Sequence, residues 1–285
     1  MASMSFPNPL SRDGFFGPVT ATLDWCEANY QFSYYVAEMA NSLSNLFTIY
    51  FASQGAWCVM KERLPARFLV GCIGFLLVGV GSFAFHASLL YEAQLADELP
   101  MIYVVSMSLW LLYDYQIGFD LSSMQTKLQV FGLVLFNVFF TWSYFLYRNP
   151  VYHQVVFATI ILSCAFRITY LLKWSPIHIR SRIPDDKKEQ VAKLFGTGAL
   201  TFALGFLIWN LDNVFCDALT KMKPIIGWPA AFLLEGHSWW HFLTGLGTYF
   251  MFIGTQYIAV CIKDDHRKFA IQSHYRLPYV KRIDK

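Results

Sequence analysis

The chain has 285 residues, of which 56% are hydrophobic, 18% aromatic and 14% charged, with a net charge of +3. A soluble domain carries about 25% charged residues, so these charges are too few to cover a water-soluble globule and lipid must cover much of the surface. The small, scattered positive charge argues against a nucleic-acid partner, and the six cysteines include no CxxC pair that would signal a cysteine-ligated metal.

The first residues, MASMSFPNPLSRDG, lack a basic start followed by an apolar stretch and do not read as a cleavable signal peptide. Residues 1–34 read as an irregular polar and aromatic lead on the lumenal side, and the first spanning helix then serves as the insertion signal. Charge-free runs follow at 39–60, 68–91, 128–147, 149–166, 194–211 and 236–262. A spanning helix needs about 20 mostly apolar residues. The runs predict helices at 35–59, 67–90, 97–117, 127–147, 151–174, 192–216 and 236–262. The third is the weakest, because Asp97, Glu98 and Asp114 shorten its apolar stretch. The expected fold is all-α, a seven-transmembrane helix bundle over residues 35–262, with a polar, basic tail at 263–285 and no internal repeat.

Lys and Arg in short loops set orientation. One side holds Lys61, Arg63, Arg67, Lys173, Arg180, Arg182, Lys187, Lys188 and the basic residues of the tail. The other holds Arg12, Arg148, Lys221 and Lys223, with Asp24, Glu27 and Glu92. The tail is therefore expected in the cytosol and the N-terminus in the lumen or outside, which requires an odd number of spans. Cys26 and Cys216 then share the oxidising side. That compartment permits a disulfide between them, and the residues alone leave the pairing open.

Polar residues within a membrane are costly and are usually paired or functional. His178, His266 and His274 fall in the cytosolic loop or tail, and His153 near the lumenal start of the fifth helix. His237 and His241 have the spacing i, i+4, which puts both rings on one helix face. The motif H-S-W-W-H lacks the glutamate of H-E-x-x-H sites, and the pair alone reads first as interfacial polar residues. His86 alters this, because it lies about one turn from the lumenal end of the second helix, at the depth of the pair. Three protein ligands plus a water are the pattern of a catalytic zinc site. Ser82 stands four residues before His86, and Asp97 opens the predicted third helix. Separately these are a packing residue and a helix cap. Beside the histidines, Asp97 acquires a proton-transfer role and Ser82 that of a donor to an oxyanion.

The lead carries Asp24-Trp25-Cys26-Glu27-Ala28-Asn29, and Glu38 follows at the first helix. Calcium takes six to eight oxygen ligands, so a calcium site competes here with a solvated acidic loop. Glu38, Asn41 and Asn45 form a polar stripe on the first helix, and Asp212 is buried near the end of the sixth. Both read as internal hydrogen-bond networks without assigned chemistry.

Taken together, D-W-C-E-x-N-Y at 24–30, Glu38 with Ser44-Asn45, Ser82-x-x-x-His86, Asp97 and His237-x-x-x-His241 resemble the alkaline ceramidases. These belong to a wider group of seven-helix membrane hydrolases that includes the adiponectin receptors. The resemblance spans residues 24–241 in the family's order. It implies a zinc amidase that takes ceramide from the bilayer and cleaves its N-acyl bond to a sphingoid base and a fatty acid. It implies zinc on His86, His237 and His241, with Ser82 and Asp97 assisting. It implies calcium at Asp24, Trp25 through its carbonyl, Glu27, Asn29 and Glu38, and a Cys26–Cys216 disulfide. It implies action at alkaline pH in the endoplasmic reticulum or Golgi, although the terminal Lys-Arg-Ile-Asp-Lys lacks dilysine spacing. No obligatory protein partner is expected. Two alternatives stand beside it: an adiponectin-receptor-like receptor with ceramidase activity, and a non-enzymatic receptor or transporter whose histidines are structural.

Overall fold

The computed structural model describes residues 10–119 and 121–283. Nine α-helices are found among them: α1 (Met39–Lys61), α2 (Ala66–Ser88), α3 (Tyr91–Tyr113), α4 (Met124–Tyr147), α5 (Pro150–Lys173), a short α6 (Ile177–Arg180), α7 (Asp185–Val214), α8 (Cys216–Ile226) and α9 (Gly236–Lys263). A two-stranded antiparallel sheet follows, β1 (Phe269–His274) with β2 (Leu277–Arg282). Among the described residues the regular structure is thus all-helical apart from this hairpin. Six helices, α2, α3, α4, α5, α7 and α9, are long and apolar enough to cross a membrane. At 23 residues α1 is long enough, but Asn41, Ser42, Ser44, Asn45 and Thr48 dilute its apolar character, so it does not join them on composition.

Local chemistry accounts for several boundaries. Arg148 ends α4 in the left-handed region at φ 44°, and Asn149 at once caps α5 by accepting the Val151 N–H, with Pro150 preset for the first turn. The start of α3 corrects the sequence reading. The helix begins at Tyr91, six residues before the expected position, so Asp97 lies in its second turn and is not its cap. The cap comes from far away in sequence: the Thr20 hydroxyl accepts the Tyr91 N–H at 3.0 Å. The tail is a second correction. It is a β-hairpin, because Tyr275 and Arg276 both adopt positive φ, at 48° and 65°, and close the two-residue turn that suits the twist of paired strands. The helix α8, where a loop was expected, is a third.

The chain divides into two compact units. The first comprises Met1–Phe51, described from residue 10 onward, Leu76–Pro100 and Leu200–Gly247. Its lead segment is ordered by backbone bonds: Ala37 N donates to Ala87 O and Glu38 N to His86 O, both at 2.9 Å. Tyr30, Ala37, Phe85 and Leu89 form its buried apolar cluster. A disulfide joins Cys26 to Cys216, with Cα atoms 5.4 Å apart, and ties the lead to the start of α8.

The second unit comprises Ala52–Phe75, Met101–Ala199 and Thr248–Lys285. In it, Arg67 and Asp114 form a buried ion pair, and the Arg67 guanidinium lies 3.7 Å from the centre of the Trp110 ring. The hairpin is anchored by the Lys187 ammonium, which donates to the carbonyls of His266 and Phe269. Tyr249 OH donates to Pro278 O at 2.8 Å. On α4, Leu128, Phe131, Val138, Phe139 and Trp142 are exposed, as expected of a face that meets lipid.

Candidate active site

Three histidines meet inside the first unit. His86 comes from α2, and His237 and His241 lie one turn apart on α9. All three are buried, and one ligand atom from each lies within 4.8 Å of the others. Among the described residues this is the one group of three metal-ligating side chains that gathers so tightly.

Each ring is held from behind. His86 Nδ1 is 2.5 Å from the Glu38 carboxylate, which fixes its tautomer and leaves Nε2 with its lone pair. His241 Nδ1 lies 2.8 Å from the Ser44 hydroxyl, which also donates to Asn41 O at 2.9 Å, and 3.3 Å from Asn45 Nδ2. With Nδ1 engaged by these groups, Nε2 is the nitrogen left to face the other rings. The His237 ring stacks on the Trp25 indole, with centroids 4.0 Å apart and planes 21° apart. His237 Nδ1 is buried with no hydrogen-bond partner among the described residues. A buried ring nitrogen without a partner, beside two rings with their second nitrogens free, is the donor set that suits zinc.

The helix bearing the pair is capped by Asp212, whose Oδ1 accepts the Gly236 N–H at 3.0 Å. A Cβ at Gly236 would lie 2.8 Å from that carboxyl, so only glycine lets the cap approach.

Ser82 and Asp97 lie at the edge of the histidine cluster. The Ser82 hydroxyl is 3.5 Å from His241 Nε2 and lies near enough to the Asp97 carboxyl to act on it electrostatically. This contact depends on the close approach of α2 and α3. A Cβ at Gly81 would sit 2.0 Å from the Ala96 carbonyl oxygen. Pro100, four residues after Ala96, has no N–H to give that carbonyl, so the freed oxygen turns to the bare Gly81 Cα.

The lead's acidic residues lie in the same unit. Asn29 Nδ2 donates to both carboxylate oxygens of Asp24 at 3.3 Å. The two Glu27 oxygens accept the Ala40 and Asn41 N–H groups at 2.7 and 2.8 Å, so Glu27 caps α1. Asp24 and Glu27 both act electrostatically on Glu38. Burial raises the Asp24 carboxyl. Burial and then the charge of Glu235 push Glu27 up to about 8. Lys223 is the cation set among these acids, paired with Glu235 at 2.8 Å and donating to Cys26 O at 3.2 Å. Among the described residues, Asn29 Oδ1 and Glu38 Oε1 are buried acceptors without a partner. Surplus carboxylates with orphaned oxygens suit a hard cation such as calcium, although these carboxylates do not close as tightly as the histidines.

Comparison with known proteins bears on the class of enzyme. The family model described as Ceramidase matches residues 17–281. The chain belongs to the ceramidase family. It is 36% identical over 244 residues to alkaline ceramidase 3 of Mus musculus, covering 84% of each chain. It is 32% identical over 262 residues to alkaline ceramidase YPC1 of Saccharomyces cerevisiae, covering 88% of this chain and 80% of the yeast protein. An alkaline ceramidase of Arabidopsis thaliana is 29% identical over 235 residues. This ceramidase is accordingly a hydrolase.

The ceramidase structure brings together His86, His237, His241, Ser82 and Asp97, and forms the Cys26–Cys216 disulfide. The sequence marked Glu38 and Asp212 as members of internal hydrogen-bond networks, as found, without their partners. Glu38 and Ser44 orient two of the histidines, the Trp25 ring backs the third, and Gly81 and Asp212 set helix positions. The polar stripe on α1 was the available signal, since polar groups on a spanning helix need partners.

Proposed function

We propose that this ceramidase hydrolyses the N-acyl amide bond of ceramides, dihydro- and phytoceramides included, releasing a sphingoid base and a free fatty acid. The observation that carries this reading is the buried trio of histidines with the Ser82–Asp97 couple at its edge. The curated relatives are alkaline ceramidases, which directs the chemistry to that amide. In this reading α1 is the seventh span, and its polar stripe is turned to the site instead of lipid. The N-terminus is lumenal and the tail cytosolic, in a membrane of the endoplasmic reticulum or Golgi.

Zinc held by His86, His237 and His241 would supply Lewis acidity, polarising the amide carbonyl and making water nucleophilic near neutral pH. The chain's own groups handle the protons. An amide nitrogen leaves poorly unless protonated, so a group must carry a proton from the attacking water to that nitrogen. Asp97 is the group we assign to this task. While ionised it accepts the Ser82 hydroxyl. Once it takes the proton, it becomes the donor, and the Ser82 O–H is freed to face the oxyanion as negative charge develops there. Removing one such donor costs about 100- to 1,000-fold in turnover. Asp24, the Trp25 carbonyl, Glu27, Asn29 and Glu38 would hold calcium, which neutralises the acidic cluster beneath α1 and stiffens the segment behind His86.

The test uses the purified protein with a panel of ceramides, with and without a zinc chelator, assayed for released sphingoid base. His86→Ala, His237→Ala and Asp97→Asn are expected to reduce turnover to near background. Ser82→Ala is expected to retain metal and lose about 100-fold or more. Undiminished turnover in His241→Ala with metal still bound overturns the three-histidine site. Chelator-insensitive activity overturns the role of zinc.

A further inference from the structure

Residues from the C-terminal ends of α3, α5 and α9, together with α6 and the turn after it, line a pocket of about 230 Å³ in the second unit. Its polar lining includes Arg167, His178, Arg182, Lys263 and Asp114. Asp114 is already engaged by Arg67 and by the Thr126 hydroxyl. The three cations are not matched by carboxylates: among the described residues none of Arg167, Arg182 and Lys263 forms a salt bridge.

Their partners are carbonyl oxygens at helix ends. Arg167 Nε donates to Leu112 O at 3.3 Å, Arg182 to Ile262 O at 2.9 Å, and Lys263 Nζ to Leu111 O. The end of a helix carries roughly half a negative charge. The ends of α3, α5 and α9 therefore offset about one and a half positive charges, and the two guanidiniums alone exceed that. The Arg167 guanidinium is stacked near Tyr113 and Tyr170, 4.3 and 5.2 Å from their ring centres, which orients its planar fork. With Nε spent on a carbonyl, its two terminal nitrogens remain to grip an anion bidentately.

Size and depth narrow the ligand. Pockets for drug-sized ligands begin at about 300 Å³, so this one suits a smaller group. It lies where three helices of membrane-spanning length end, which is headgroup depth. Basic pockets between helix ends are known lipid-headgroup sites. We infer that this pocket binds a phosphate group, carried by an anionic lipid headgroup or free in solution.

The full-length protein in nanodiscs provides the test. Discs of phosphatidylcholine alone are compared with discs containing phosphatidic acid, and with phosphatidylcholine discs given inorganic phosphate. Retained lipid is read by native mass spectrometry and the unfolding midpoint by thermal shift. Phosphatidic acid is expected to be retained over phosphatidylcholine and to raise the midpoint. Arg182 is exposed, so Arg182→Gln leaves the fold intact and is expected to weaken retention about fivefold, with Arg167→Gln/Arg182→Gln weaker by about 25-fold. Arg276→Gln, in the exposed hairpin turn, is the control and should change nothing. A midpoint raised by inorganic phosphate in the wild type but not in Arg182→Gln assigns the pocket to a soluble phosphate. Equal retention by wild type and Arg182→Gln overturns the inference, as does indifference to both phosphatidic acid and phosphate.

Discussion

The Glu38 carboxylate and the His86 ring share a hydrogen bond of 2.5 Å, and both side chains are buried. The acceptor comes from the residue just before α1 and the donor from α2. A carboxylate behind a ligating histidine fixes the tautomer and raises the basicity of the other nitrogen. Glu38→Gln keeps the size and one acceptor but removes the charge. It is expected to weaken zinc binding about 10- to 100-fold, measured as bound zinc at buffered free metal. Unchanged zinc affinity would show that Glu38 does not support His86.

The contact between Gly81 and the Ala96 carbonyl positions Asp97 beside Ser82. In Gly81→Ala the new methyl would meet that oxygen at 2.0 Å, so α2 and α3 must separate. Overpacking of this kind costs about 1–3 kcal/mol. The expected result is a lower unfolding midpoint together with lost turnover. In Gly132→Ala nothing lies within 4 Å of the new methyl, and both quantities are expected to hold. A Gly81→Ala protein with full activity would show that this approach is dispensable.

Glu27 gives the acidic cluster a pH signature. Its carboxyl has an ordinary value of 4.5 and is pushed to about 8 in the folded chain, by burial first and then by Glu235. The folded state therefore holds this proton more tightly than the unfolded state. Stability of the calcium-free protein is full below about pH 4.5 and declines as pH rises toward about 8. Calcium bound as proposed would favour the ionised carboxylate and oppose the loss. Chelator-treated protein is expected to show a midpoint that falls between these limits. Added calcium should restore it more at pH 8 than at pH 5, and Glu27→Gln should flatten the slope. Parallel pH curves with and without calcium would remove Glu27 from the ligand set.

The disulfide closes a loop of 190 residues. Removing a native disulfide from a small secreted domain costs about 2–5 kcal/mol. Cys26→Ser is expected to lower the unfolding midpoint, and reduction should lower the wild type to the same level. Reduction should leave Cys26→Ser unmoved, because the other cysteines, at 58, 72, 164 and 261, are free. An equal response to reductant in both proteins would contradict the pairing.

The helical class and the three histidines were legible in the sequence because they depend on local or one-dimensional signals. Charge-free runs mark helices that must satisfy their backbone in lipid. The i, i+4 spacing of His237 and His241 puts both on one face of α9. The start of α3 was not legible, because its cap is the Thr20 hydroxyl, 71 residues away. Nor was the hairpin at 269–282, since its turn uses Tyr275 and Arg276 at positive φ where glycine or asparagine is the usual signal.

The sequence by itself determined that this is a membrane-type helical protein, which three histidines share one depth, and which family it resembles. Only the tertiary structure decided what stands behind each histidine. Glu38, Ser44 and the Trp25 ring reach their partners across 48 or more residues of chain, and no helical period encodes such distances. The same holds for Gly81 against Ala96 and for Asp212 at the head of α9. Packing brings these groups within hydrogen-bond or contact range, and once buried without water each polar group must find a partner.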